Sequence, residues 1–216
     1  MVLLIAAVAI QVYRDRGWQP YEPATPVLWL QDAQTVRKLS LGFHNLIADL
    51  YWIRAVVYFG QQRLSDRADK NYDLLYPYLD FVTALDPRFT TAYRFGAIFL
   101  TEPMPGGPDR PDLAIALLQR GAEHAPGRWE YLHDIAFVHH WTYRDYAEAA
   151  RWMQRASEVP GAPPWLKSST AAMLELGRDR ESAKRMWQQM RDTVEEEWMR
   201  NTAELRIAQL DALAAI

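Results

Sequence analysis

Histidine is the residue type in this 216-residue chain best suited to chemistry, and three of the five histidines fall together at His133, His139 and His140. On a helix, His133 and His140 share one face but stand two turns apart, about 10 Å along the axis. One metal ion does not bridge that gap without bending, because helical metal pairs use i, i+4 spacing. His124 and His44 could join them only through the fold. The spacing therefore points to packing or to polarity lining a concave surface, with a metal- or haem-binding face as the alternative.

Other chemical sets are thinner. Asp49 lies beside Arg54 in an otherwise apolar stretch, 45–59, which reads as a buried or interfacial ion pair, or as a contact to a partner. Glu195–Glu197 is a charge run of the solvated kind. There is no P-loop and no GxGxxG, and Gly106-Gly107 between prolines reads as a turn rather than a phosphate cradle. The chain has no cysteine, which excludes disulfides, thiolate zinc sites, iron–sulfur clusters and a cysteine nucleophile. Net charge is −3 with scattered Lys and Arg, so no phosphate-tracking basic face and no nucleic-acid partner are expected. No catalytic set emerges; the expectation is a non-enzyme with no catalytic residue, no metal and no cofactor.

The elements that position these residues read as helices throughout. Half the residues are apolar and 24% are charged, which suits a folded core. Asp32 is placed to cap a helix starting near Ala33. Leu46, Leu50, Ile53 and Val57 follow steps of four, three and four, the spacing of one helix face, with Gly60 near its end as a cap. Helices are predicted over Tyr72–Leu85, with Pro77 in the first turn or at a kink, Thr90–Leu100, Asp112–His124, Trp129–Trp141, Tyr146–Glu158, Pro164–Leu176 and Arg180–Arg191. Proline- or glycine-bearing breaks separate most of them. A last helix, capped by Asp192 or Thr193, carries the stripe Met199, Ala203, Ile207, Leu210 and Ala214. No stretch shows useful strand alternation.

Helix pairs recur about every 34–40 residues, the signature of a repeat architecture. Ala92, Phe95, Gly96 and Phe99, then Ala114, Leu118, Gly121 and Pro126, form one small–large series. Ile135-Ala136, Asp145–Ala150 and Ala156 form a second. Leu176–Asp179, Ala183 and Trp187 form a third, and Leu85-Asp86-Pro87 closes a more divergent unit before them. Over roughly residues 45–190 these series resemble the tetratricopeptide repeat (TPR) superfamily, in divergent, bacterial-type form. The resemblance implies an all-α, TPR-like α-solenoid of about three to four antiparallel helix hairpins with a C-terminal capping helix. The sequence departs from the family pattern in the Thr101–Pro111 loop, about six residues longer than usual. It departs again at His139, where an aromatic residue is usual, and at Met190, where a small one is. The repeat register implies a partner-binding groove lined by Tyr93, Arg94, Glu130, His133, His140, Lys167 and Thr170.

The chain divides into four segments. Residues 1–16 form an apolar anchor or signal-like segment, 17–31 a proline-rich linker or extended arm, 32–191 the repeats and 192–216 the cap. Val2–Val12 is shorter than the roughly 20 apolar residues of a membrane span and matches the roughly 7–15 of a signal core. It reads as a signal-anchor lacking its upstream part, with a short buried or interfacial helix as the alternative. Arg14 and Arg16 alone would put the C-terminal side in the cytoplasm; a truncated N-terminus would favour the periplasmic or exported side. The functional expectation is a non-catalytic protein–protein interaction scaffold, tethered to the membrane by that helix. It would serve as an accessory or assembly subunit of a membrane or envelope complex, with the subunits of that complex as protein partners. The alternative is a ligand- or metal/haem-binding protein using the His133/His140 face and an aromatic groove.

Overall fold

A computed structural model describes residues 32–66 and 69–214, together with Gln11. The expected anchor and linker, including Val27–Leu30, lie outside the described residues. The described chain is all-helical, with ten α-helices, one π-helical turn and no strand.

Asp32 caps α1 (Ala33–Leu39), its carboxylate accepting from the Gln34 amide at 3.0 Å. A turn then separates α1 from α2 (His44–Leu64), with Leu41 at φ 49° and Gly42 at φ 92°. Gly60 sits inside α2 and does not cap it, because the helix continues another turn to Leu64. α2 buries Ala48, Tyr51, Ala55, Tyr58 and Phe59, with the Tyr51 ring 4.5 Å from Phe81 of α3 (Leu75–Leu85). The Leu46, Leu50, Ile53 and Val57 face is turned to solvent. Asp49 on its flank is exposed, which corrects the buried form of the expected pair with Arg54 and not the interfacial one.

The remaining helices follow the proline and glycine punctuation closely. They are α4 (Thr90–Thr101), α5 (Pro111–His124), α6 (Trp129–Val138), α7 (Tyr146–Ser157), α8 (Trp165–Leu176), α9 (Arg180–Thr193) and α10 (Glu197–Ala214). Proline opens α5, where its missing N–H costs no intrahelical bond. Asp145 and Asp179 cap α7 and α9 through the Glu148 and Ser182 amides, each at 3.0 Å. Asp192 and Thr193, expected to cap the last helix, lie within α9 instead.

From α2 onward, helices pack chiefly on their neighbours in the chain; in addition α1 meets α3 and α4 meets α6. Small residues permit the close crossings. A β-carbon on Gly96 would stand 2.8 Å from Leu79 Cδ2 and 3.1 Å from Leu117 Cδ2. Ala92, Ala114, Ala136, Ala156 and Ala183 are fully buried. The core runs as three clusters in chain order: one over α1–α6, one over α6–α8 and one over α8–α10. In the last, Trp187 and Met190 pack with Ala203 and Leu210 of α10.

Candidate functional site

α4 and α6 leave a groove of about 500 Å³ between them. Its lining includes Phe95 and Ile98 from α4, and His133, Asp134 and Phe137 from α6. Four large apolar side chains there stand half exposed or more: Phe95 51%, Ile98 53%, Phe137 52% and Trp141 61%. Phe137 and Trp141 stack nearly parallel, centroids 6.0 Å apart.

The end of the groove at the C-termini of α4 and α6 is irregular. Glu102 and Pro103 stand there, from the long loop after α4. That loop is tied down: Glu102 pairs with Arg63 at 3.0 Å, and the Tyr72 hydroxyl lies 3.0 Å from both the Pro105 and Gly106 carbonyls. Gly107 is buried against Glu102, where a β-carbon would meet Glu102 Cβ at 2.3 Å. At the same end stand Trp141 and Thr142, from the π-helical turn His139–Tyr143 that prolongs α6. Arg144 ends the turn in the left-handed region at φ 56°, and its guanidinium lies 5.7 Å over the Trp141 ring. π-Turns recur at functional sites because one extra residue re-aims the side chains beyond it.

An ion pair anchors the two walls. Arg94 grips Asp134 through two parallel bonds, Nε–Oδ2 at 2.5 Å and Nη2–Oδ1 at 3.1 Å, and His133 Nδ1 donates to Oδ1 at 3.1 Å. Burial works against the Asp134 carboxylate, but the bonds from His133 and Arg94 and the Arg94 charge outweigh it and hold its pKa below the usual range. The bond to Asp134 raises the Arg94 pKa in turn. A second pair, Arg120 of α5 with Asp80 of α3, also joins residues 40 apart, and Arg120 donates to Thr83 Oγ1 at 2.7 Å.

The predicted groove residues separate. Arg94 and His133 line the groove. His133 also stands edge-on to Trp129 and Trp165, at 6.0 and 5.5 Å. Glu130, half-buried on α6, faces Arg128 at 3.8 Å rather than the groove. Tyr93 is a correction: it is fully buried, edge-on to Tyr131 at 5.5 Å and packed on Gly121. Thr170 is another, fully buried with its hydroxyl donating to the Leu166 carbonyl at 2.9 Å. Lys167 lines a separate hollow with Pro163, Pro164 and Glu196. His140 packs near Tyr146, at 5.4 Å, off the groove lining, so His133 and His140 do not share one site. Burial lowers the His139 pKa against the raising effect of Asp145. Among the described residues no group of three His, Asp or Glu side chains is placed to hold a metal ion.

Sequence reasoning missed Phe95, Ile98, Phe137, Trp141 and Asp134 as lining residues. The available signal was that α4 and α6 are apolar on more faces than packing needs. Compared with protein-family models and with curated proteins, the chain matches none. No helix among the described residues is long and apolar enough to cross a membrane.

Proposed function

We propose that this chain is a TPR-like α-solenoid scaffold whose α4–α6 groove holds an apolar, aromatic-bearing segment of a protein partner. The observation that carries the reading is convergence. The long loop and the π-turn, the two places where helix A of a regular repeat is interrupted, follow the C-terminal ends of α4 and α6 and meet at one end of a groove with four exposed large apolar side chains. Neighbour-on-neighbour packing, small residues at the crossings and two ion pairs each spanning 40 residues support the repeat architecture. Apolar side chains clustered in a concave surface are the usual mark of a recognition site. With Arg94 and Asp134 satisfying each other, the groove offers apolar contact more than charge. Membrane tethering through Val2–Val12, and service as an accessory or assembly subunit of a membrane or envelope complex, complete the proposal.

The test places a photo-reactive amino acid at position 98 in the groove and, as control, at position 154 on α7, in native membranes. The proposal expects a discrete cross-linked partner from position 98 only, lost on Phe137→Ala/Trp141→Ala while circular dichroism stays unchanged. Equal products from both positions, or a product indifferent to the double substitution, rejects the groove. Stoichiometric metal or haem on the purified protein would instead favour a ligand-binding role.

A further inference from the structure

The corner between α1 and α2 is a tight turn of Ser40, Leu41, Gly42 and Phe43. The Phe43 amide donates to the Ser40 carbonyl at 2.8 Å, and both central residues take positive φ, 49° at Leu41 and 92° at Gly42. Turns of this kind ordinarily carry Asn, Asp or Gly at both central places, because an L side chain is strained there. Leucine is the opposite choice. It is also 88% exposed, and Leu39 and Phe43 beside it are mostly exposed. Backbone strain and solvation both disfavour Leu41 in the folded chain, and its exposure leaves little packing to offset either.

Charge around this tip is one-sided. Arg37 and Lys38, both exposed, lie in the last turn of α1, and His44 opens α2. No Asp or Glu occurs between Asp32 and Asp49. Asp32 is engaged at the far end of α1, with the Gln34 amide and the Thr35 hydroxyl. Cations at a helix C-terminus also complement its dipole, which accounts for their place on α1 but not for the apolar tip beside them. Three exposed apolar side chains fall well short of the about 800 Å² that one partner gives a standard protein interface. A bilayer sets no such minimum, since each side chain enters the boundary between headgroups and acyl chains on its own, and neighbouring cations gain from anionic lipid. The length of chain before α1 agrees: residues 13–31 separate Val12 from Asp32, a stretch that spans at most about 70 Å. That keeps α1 near any bilayer that holds Val2–Val12.

We infer that the α1–α2 corner is a membrane-contact site, with Leu39, Leu41 and Phe43 seated in the interface of an anionic phospholipid bilayer and Arg37 and Lys38 at its headgroups. The site shares no residue with the groove or with Val2–Val12, so it and the proposed function can fail separately.

The chain has no native cysteine, so one added cysteine carries one label. Leu41→Cys, Val57→Cys and Gln154→Cys are made singly in the full chain and labelled with an environment-sensitive fluorophore. Each is reconstituted into phosphatidylcholine vesicles with or without phosphatidylglycerol. The expected result is a blue shift and quenching by spin-labelled lipid at 41, at neither 57 nor 154, and stronger with phosphatidylglycerol. Arg37→Glu with Lys38→Glu should reduce the signal at 41 to its level in neutral vesicles. Leu41→Asn, read from a label at 39, should lose the quenching while the melting temperature without lipid holds or rises, because asparagine suits the turn. A leucine that served the chain's own fold would lower that temperature when replaced. Several results overturn the inference: no quenching at 41, quenching at 57 equal to that at 41, no preference for anionic lipid, or a lower melting temperature for Leu41→Asn. A blue shift at 41 that needs no lipid also overturns it and assigns the tip to a protein surface. A label at position 8 reads the Val2–Val12 tether in the same vesicles. Quenching at 8 without 41 rejects the corner and leaves the tether, whereas quenching at 41 without 8 keeps the corner and rejects the tether.

Discussion

Asp134 is held from two directions, by the fork of Arg94 across the groove and by His133 beside it. Its pKa is lowered in the folded chain, so its contribution to stability is present above the ordinary carboxyl value, about 4, and is lost as pH falls through the folded value. Asp134→Asn keeps the shape and removes the charge. It should cost about 1–3 kcal/mol at neutral pH and flatten the acid limb of a stability–pH profile measured by urea unfolding. His139 acts over a different range. Its folded pKa lies below the ordinary imidazole value of about 6.5, so the unfolded chain binds the extra proton first and stability falls as pH drops from 7 toward 5. His139→Phe should remove part of that slope in the same measurement, leaving the carboxylate-driven loss at lower pH. Neither role is legible from residue type: Asp134 adjoins a histidine in sequence, but its decisive partner is 40 residues away.

At the scale of elements, the helix boundaries are the most legible feature, because proline, glycine and aspartate mark nearly all of them. Two irregularities leave no such mark. The turn between α1 and α2 uses Leu41 at positive φ, where a leucine gives no warning. The π-turn adds one residue within a ring-rich run interrupted only by Thr142, and composition does not distinguish it from α-helix. The long loop is legible as an insertion, but not that its glycine is an anchor. Gly107→Ala forces a β-carbon to 2.3 Å from Glu102 Cβ and 2.7 Å from the Glu102 carbonyl. It should cost about 1–3 kcal/mol and lower the melting temperature by several degrees, with Glu102 and Pro103 displaced at the end of the groove. Calorimetry checks the first effect, and groove photo-cross-linking the second. The lining itself was hidden because α4 and α6 bury one apolar face and expose another, and periodicity alone does not say which is outward.

For the whole molecule, the C-terminal helix closes the last cluster, burying Met199, Ala203 and Leu210, the latter two against Trp187 and Met190. Without that helix the apolar faces of Trp187 and Met190 would stand in water. Ending the chain after Glu196 should cost about 3–5 kcal/mol and raise binding of an apolar dye, with the N-terminal cluster keeping its melting behaviour. The stripe on α10 is legible in the sequence. The outward stripe on α2 is legible as a pattern but not as a surface, since both follow the same helical period. Only the three-dimensional placement of Tyr51, Ala55 and Tyr58 settles which side of α2 is inward.

Packing on neighbours in the chain has a kinetic consequence. Most contacts close short stretches of chain, so little loop entropy must be lost before each new helix finds its partner. Each hairpin can settle on the one made before it while the rest of the polypeptide is still being synthesised. The charged clasps Asp80–Arg120 and Asp134–Arg94 then form only when the helix two places further along the chain has been added, each acting as a latch on helices already in place.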